Sequence, residues 1–336
     1  MKRNHFFTGL TAMVFLWGVC FFPAASPAQE AAAQIGRPVR VVSIAFKPRS
    51  LEAIAPLVDA EGAKGADLII LPETMLGQKM PPQPLDGPAI TTMAGLAKKH
   101  RTYIVCPLDR QDGVHRVNSA VLIDRSGQVV CVYDKVYPYW SEYALKPAVE
   151  PRSKVPVYRA DFGRVGMAIC FDVNFPDVWK QLADQGAELV VWPSAYSAGS
   201  SLRAHAINHH FCIVTCTYAP DCSVFDITGE EMVYEKGRDV QITRATLDLD
   251  RGIYHTNFNV AKRDKLLKEH GNDVVLEKQM ERESWFVLRA KRPGVSAREL
   301  ARRYGLEELR DYLGRSRREI DRMREQGTIW TAKASH

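Results

Sequence analysis

Apolar positions in this chain recur in two rhythms. Short continuous apolar runs, the signature of strands buried on both faces, fall at residues 39–46, 67–71, 103–107, 119–124, 129–134, 165–169, 188–192, 212–217 and 244–249. Between several of them the spacing changes to that of a helix. Ser50 is placed to cap a helix from Leu51 towards Gly65, with Leu51, Ile54, Leu57 and Val58 on one face. Helices are also expected at 89–100, 176–185 and 201–210. Turn residues at 125–128 and 228–230 join neighbouring runs into two hairpins, the second between 224–226 and 232–234. No internal repeat is visible. Strands alternating with helices, plus hairpins, predict an α/β protein. The strands are too many for one comfortable open sheet, so two packed mixed β-sheets with helices outside are expected.

Beyond about residue 260 the pattern changes. Ser296 and Glu299 form a capping-box pattern opening a helix through Tyr304, and charged helices are expected at 306–313 and 316–326. The formal net charge of +6 resides here: residues 1–260 carry 26 basic and 26 acidic side chains, residues 261–336 carry 19 and 13. The segment 301–306 has a faint helix-turn-helix look. Basic composition alone does not define a nucleic-acid site, and no nucleic-acid partner is expected. The reading is a basic, mostly helical extension, 261–336, wrapping the body or docking across a subunit interface.

The N-terminus reads as a cleavable signal peptide, residues 1–28. Lys2 and Arg3 precede a mostly apolar stretch at 6–22, and Ser26-Pro27-Ala28 precedes Gln29 as a cleavage site. A retained anchor is the alternative. With the signal removed, a secreted or periplasmic protein without stable membrane insertion is expected. Of seven cysteines, Cys20 leaves with the signal. Most of the other six lie in strand-like runs, so free buried thiols are expected rather than a disulfide framework.

Three apolar runs end in a residue that carries chemistry. Glu73 follows Leu71-Pro72, Lys135 follows Tyr133-Asp134, and Cys170 follows Ala168-Ile169. A carboxylate, an ammonium and a thiol at three strand ends suit acyl transfer. Glu73 would take the thiol proton, Cys170 would attack, and Lys135 with the Phe171 backbone N–H would hold the oxyanion. A metal site is the competing class. His205 and His209 lie one helical turn apart, but no third ligand is evident.

These motifs resemble the carbon–nitrogen hydrolase, or nitrilase, superfamily. The resemblance covers about residues 38–255. It rests on Leu-Pro-Glu, Asp-Lys-Val and Cys-Phe-Asp with Phe-Pro-Asp, and on the segments 202–208 and 223–229. It implies a four-layer αββα sandwich, a Cys thioester intermediate, no metal or other cofactor, and homodimers or higher homo-oligomers that extend the sandwich. It also points to Glu142 as a second carboxylate, orienting Lys135 or the substrate. Phe171-Asp172 after the thiol, where true nitrilases resemble Cys-Trp-Glu, and Asn174 tilt the expectation from nitriles to small-molecule amides or N-carbamoyl compounds. Tyr137, Tyr139, Trp140, Trp192 and Tyr196 are expected to rim an aromatic pocket. Acyl transfer to another acceptor and a catalytically inactive binding protein are the alternatives.

Overall fold

The computed structural model describes residues 34–327, and the expected signal segment lies outside them. The first half runs β1 (Pro38–Phe46), α1 (Leu51–Gly62), β2 (Leu68–Ile70), α2 (Pro88–His100), β3 (Tyr103–Asp112), β4 (His115–Ile123) and β5 (Val129–Asp134). The second runs β6 (Val157–Arg159), β7 (Arg164–Met167), α3 (Pro176–Asp184), β8 (Leu189–Ser194), α4 (Ser200–His209), β9 (Cys212–Thr217), β10 (Asp221–Phe225), β11 (Glu231–Lys236) and β12 (Val240–Asp248).

The strands form two six-stranded mixed sheets, β12-β1-β2-β3-β4-β5 and β11-β10-β9-β8-β7-β6. Each has the same pairing plan. A parallel trio, β1-β2-β3 or β7-β8-β9, carries an antiparallel strand outside its first member and an antiparallel hairpin pair beyond its last. The two halves of the body therefore share a topology that no sequence repeat announces. The pairing plan depends on where apolar runs and crossovers fall, not on side-chain identity.

The sheets pack face to face over a core that includes Val39, Leu68, Val105, Tyr133, Met167, Val191 and Val214. Helices α1 and α2 cover the outer face of the first sheet through Ile54, Val58, Ile90 and Met93. Helices α3 and α4 cover the second through Trp179, Leu182, Leu202 and Ala206. The result is the expected αββα sandwich. The parallel strands are buried on both faces, which is why they read as unbroken apolar runs. All six cysteines among the described residues are free.

The extension differs from its expected form. Besides helices it holds a third, three-stranded antiparallel sheet, β13-β15-β14, built from β13 (Gly252–His255), β14 (Val274–Met280) and β15 (Trp285–Ala290). Helices α5 (Val260–His270) and α6 (Ala297–Arg303) pack on it through Leu266, Leu300 and Ala301. The Ser296 hydroxyl caps α6 by accepting from Glu299 N at 3.1 Å, as the capping pattern predicts. The two helices expected at 306–313 and 316–326 are one, α7 (Leu309–Gln326), running through Gly314. The extension is tied to its own body by half-buried ion pairs. Arg298 grips Glu308 with two bonds, at 2.7 and 2.8 Å, and Glu188 beneath β8 at 2.6 Å. Arg251 joins Asp226 at 2.9 Å to Glu277 at 2.8 Å.

Candidate active site

The C-terminal ends of β2, β5, β7 and β8 meet at one edge of the sandwich, and chain leaving each strand supplies part of one buried cluster. Glu73, Lys135, Glu142 and Cys170 are 3%, 1%, 3% and 6% exposed. Glu73 sits just past β2, where Leu71 N and Met75 N still bond to Val105 and Pro107 of β3 and fix the segment. Lys135 ends β5 with its backbone N bonded to Asn118 O of β4 at 2.8 Å. Glu142 lies on a 3-10 turn at Trp140–Ala144.

The Lys135 ammonium bridges the two carboxylates, donating to Glu73 Oε1 at 2.8 Å and to Glu142 Oε2 at 2.6 Å. Asn118, fully buried, donates its Nδ2 to Glu73 Oε1 and to Glu142 Oε1, both at 2.8 Å. Glu142 Oε2 also accepts from Tyr139 N at 2.7 Å, and Glu73 Oε2 from Ala195 N, just past β8, at 2.8 Å. Two carboxylates share one ammonium and one amide, with backbone donors filling in. Ionised carboxylates are tolerated at this depth because each oxygen has donors.

Cys170 opens a second 3-10 turn, Cys170–Asn174, at φ +48°, a left-handed conformation uncommon for a side chain other than glycine. The turn is held by a row of side-chain donors. Trp192 Nε1 donates to Cys170 O at 3.0 Å, Asn174 Nδ2 to Phe171 O at 3.1 Å, and Trp179 Nε1 to Asp172 O at 3.0 Å. His205 Nε2 meets Val173 O at 2.9 Å. Asp172, fully buried, ties the turn to the other sheet. It accepts from Ile169 N at 2.9 Å, from Tyr133 Oη of β5 at 2.6 Å, and from Tyr137 N, two residues past Lys135, at 2.9 Å. Burial raises the Asp172 pKa to about 6 despite these donors.

Electrostatics separates the proton holders. Burial raises the Cys170 pKa and the nearby Glu73 carboxylate raises it further; Lys135, Ser194 and the Ala195 N–H oppose this and lose. Burial works against the Lys135 charge, but the Glu73 and Glu142 carboxylates outweigh it and hold its pKa above the ordinary lysine value. Burial and Glu73 thus disfavour the thiolate while the two carboxylates favour the ammonium. Such a thiol needs a base to become a nucleophile, and Glu73 is at hand.

The aromatic residues divide. Tyr139 and Trp140 are 40% and 69% exposed at the mouth, and the Tyr139 ring stands edge-on to Phe171 at 5.2 Å. Tyr196 is exposed with its ring edge-on to Trp192 at 5.6 Å, and Tyr137 stacks on Phe175 at 3.6 Å. Trp192 is not part of the rim. It is fully buried beneath the Cys170 turn, because the last residues of a parallel strand are still covered on both faces. Asn174 braces the turn through the Phe171 carbonyl. His205 and His209 do not form a metal-ligand pair. His205 stacks on Trp179 at 4.2 Å while its Nε2 serves Val173, and burial pushes the His209 pKa down to about 4. Sequence reasoning did not single out Asn118, Ala195 or Asp172 as functional. The Ser194-Ala195 pair at the end of β8 obeys the same strand-end rule as the others.

The chain belongs to the carbon–nitrogen hydrolase family, whose profile matches residues 31–251. It is a hydrolase of carbon–nitrogen bonds other than peptide bonds, of the amidase-like kind. A citrullinase of Francisella tularensis is 25% identical over 79% of this chain and 98% of its own length. A deaminated glutathione amidase of Synechocystis is 30% identical over 44% of this chain and 61% of its own. The chain likewise spans 64% of a Schizosaccharomyces pombe hydrolase at 24% identity. Among solved structures, an amidase from Nesterenkonia sp. AN1 shares the fold at a TM-score of 0.54 and 20% identity, covering 62% of this chain and 92% of its own. Saccharomyces cerevisiae Nit3 does so at 0.55 and 18%, covering 71% and 97%.

Proposed function

We propose that this protein hydrolyses a small-molecule amide or N-carbamoyl compound through a thioester on Cys170. The observation that carries the reading is the buried Glu73–Lys135–Glu142 hydrogen-bonded cluster with the Cys170 thiol buried among the same strand ends. Glu73 takes the Sγ proton as sulfur attacks the carbonyl carbon. The oxyanion is held by the Lys135 ammonium and the Phe171 backbone N–H. Glu73 returns its proton to the leaving nitrogen as the C–N bond breaks, leaving a thioester. Glu73 then deprotonates a water that attacks the thioester carbon, the C–S bond breaks, Glu73 returns the proton to Sγ, and the acid or carbamate departs. Glu142 and Asn118 keep Lys135 and Glu73 aimed throughout. Loss of one oxyanion donor costs on the order of 100- to 1,000-fold in rate.

For substrate, the citrullinase relative acts on a carbamoyl compound and matches over nearly its full length, which supports including N-carbamoyl compounds. Tyr139, Trp140 and Tyr196 around the mouth favour a substrate with a flat or apolar portion. The N-terminal composition supports secretion or a periplasmic location, which N-terminal sequencing of exported protein would test. The functional test is a panel of linear amides, N-carbamoyl compounds and nitriles, with Cys170→Ala as blank. Turnover of amides or carbamoyl compounds above nitriles, absent from the blank, is expected. Preferential nitrile turnover, or equal turnover in the blank, would overturn the reading.

A further inference from the structure

Helix α7 leaves the body after its first turn. Leu309 is buried in the main core of the body, Tyr312 packs against that core, and Arg310 donates to Ala187 O at 3.2 Å. From Leu313 to Gly327 no residue is buried. Among the described residues, side-chain polar bonds from 313–326 reach no farther than Glu307, just before the helix. They are Arg315 to Glu307, Arg322 to Glu319, and Arg324 to Asp321. A projecting segment of this length is marginal in water without packing, and Gly314 weakens it further.

The exposed segment is nevertheless patterned for a partner. Leu309, Leu313, Ser316, Ile320 and Met323 follow alternating steps of four and three, and Leu313 and Ile320 are 47% and 41% exposed. That is a heptad seam with Leu313 and Ile320 at a and Ser316 and Met323 at d. The e positions are then all arginine, Arg310, Arg317 and Arg324, and the g positions are Tyr312, Glu319 and Gln326. In a parallel pair, g of one helix faces e of the other five residues on, which joins Glu319 to Arg324 of the second copy, twice by symmetry. An antiparallel pair would set arginine against arginine along the e positions.

We propose that α7 pairs in parallel with α7 of a second copy of this chain, through Leu313, Ser316, Ile320 and Met323. The charge pattern selects this occupant. A self-complementary Glu–Arg step is wasted on a lipid surface, which asks for an unbroken cationic flank. The pairing does not rest on the catalytic reading, since hydrolysis by Cys170 is measured separately.

The test uses the full chain. Ser316→Cys and Met323→Cys, made separately and oxidised, are each expected to give disulfide-linked dimers on non-reducing gels, where the wild type gives none. Both sites cross-link to themselves only in a parallel, in-register pair. In sedimentation experiments Leu313→Glu with Ile320→Glu is expected to raise the dimer dissociation constant on the order of 10-fold or more. Glu319→Arg weakens association and adding Arg324→Glu restores it. The proposal fails if the wild type is monomeric, or if neither cysteine variant cross-links. It also fails if the double Glu variant self-associates unchanged, or if the seam residues instead drive binding to vesicles containing phosphatidylglycerol.

Discussion

Replacing Asp172 with Asn removes a buried charge and, of the three bonds its carboxylate accepts, the one that ties the Cys170 turn to the Lys135 loop. The carboxylate accepts from Tyr133 Oη, Ile169 N and Tyr137 N. An asparagine carbonyl placed where Oδ2 stands keeps the first two. Its NH2 then faces the Tyr137 N–H, donor against donor. The lost bond to a charged group is worth about 1.5–3 kcal/mol, and the stranded donor costs about 1–3 more. Against this stands the cost of keeping Asp172 ionised. Its pKa rises from 3.8 to about 6 on folding. That shift amounts to about 3 kcal/mol lost to the native state at neutral pH. The two effects partly offset, so at pH 7 the variant should lie between about level with wild type and about 3 kcal/mol less stable. The sign of the pH dependence is fixed. A pKa raised in the folded state gives stability that is complete below the unfolded value and lost as pH rises through about 6. Asparagine does not titrate, so in urea melts the wild-type advantage should shrink by about 3 kcal/mol between acid and neutral pH. Activity should not be spared. With Tyr137 N released, Lys135 two residues earlier loses its registration with Cys170, and kcat should fall on the order of 100-fold with KM little changed. An unchanged kcat, or a wild-type advantage that grows with pH, would refute the reasoning.

Asn118→Leu removes two bonds to buried carboxylates, so urea melts should show a loss of about 3–6 kcal/mol. In protein still folded, kcat should drop on the order of 100-fold with KM within a few-fold of wild type. His210 sits buried at φ +55°, and burial pushes its pKa from 6.5 down to about 4. A depressed histidine gives stability that is present above the unfolded pKa and lost as pH falls through the folded one. His210→Asn, which tolerates the left-handed backbone, should therefore lose about 3 kcal/mol less than wild type on acidification across that window.

The strand-end logic made Glu73, Lys135 and Cys170 legible, because an apolar run announces its own end and the polar residue that follows, whereas Glu142 was legible only through the family resemblance. Asn118 was not legible. It lies inside β4, and only the antiparallel register with β5 sets it between two carboxylates. Asp172 looked like part of a motif rather than a clamp, since its partners Tyr133 and Tyr137 are far away in sequence. Trp192 was placed on the rim because strand ends had been equated with the surface. The extension's sheet escaped notice because β14 and its hairpin carry charged residues among few apolar ones, with only Val274 of β14 buried. Gly314 suggested a break between two helices, yet α7 continues through it, which is consistent with a seam that needs the whole helix.

The central claim is that Cys170 carries the acyl group. Mixing the enzyme with a turned-over linear amide, quenching in acid and mapping the intact protein and its peptides by mass tests it directly. The account predicts a gain equal to the acyl group less one hydrogen, confined to the Cys170 peptide and absent from Cys170→Ala, which turns nothing over. Turnover by Cys170→Ala, or an adduct on another cysteine with Cys170 unmodified, would contradict it.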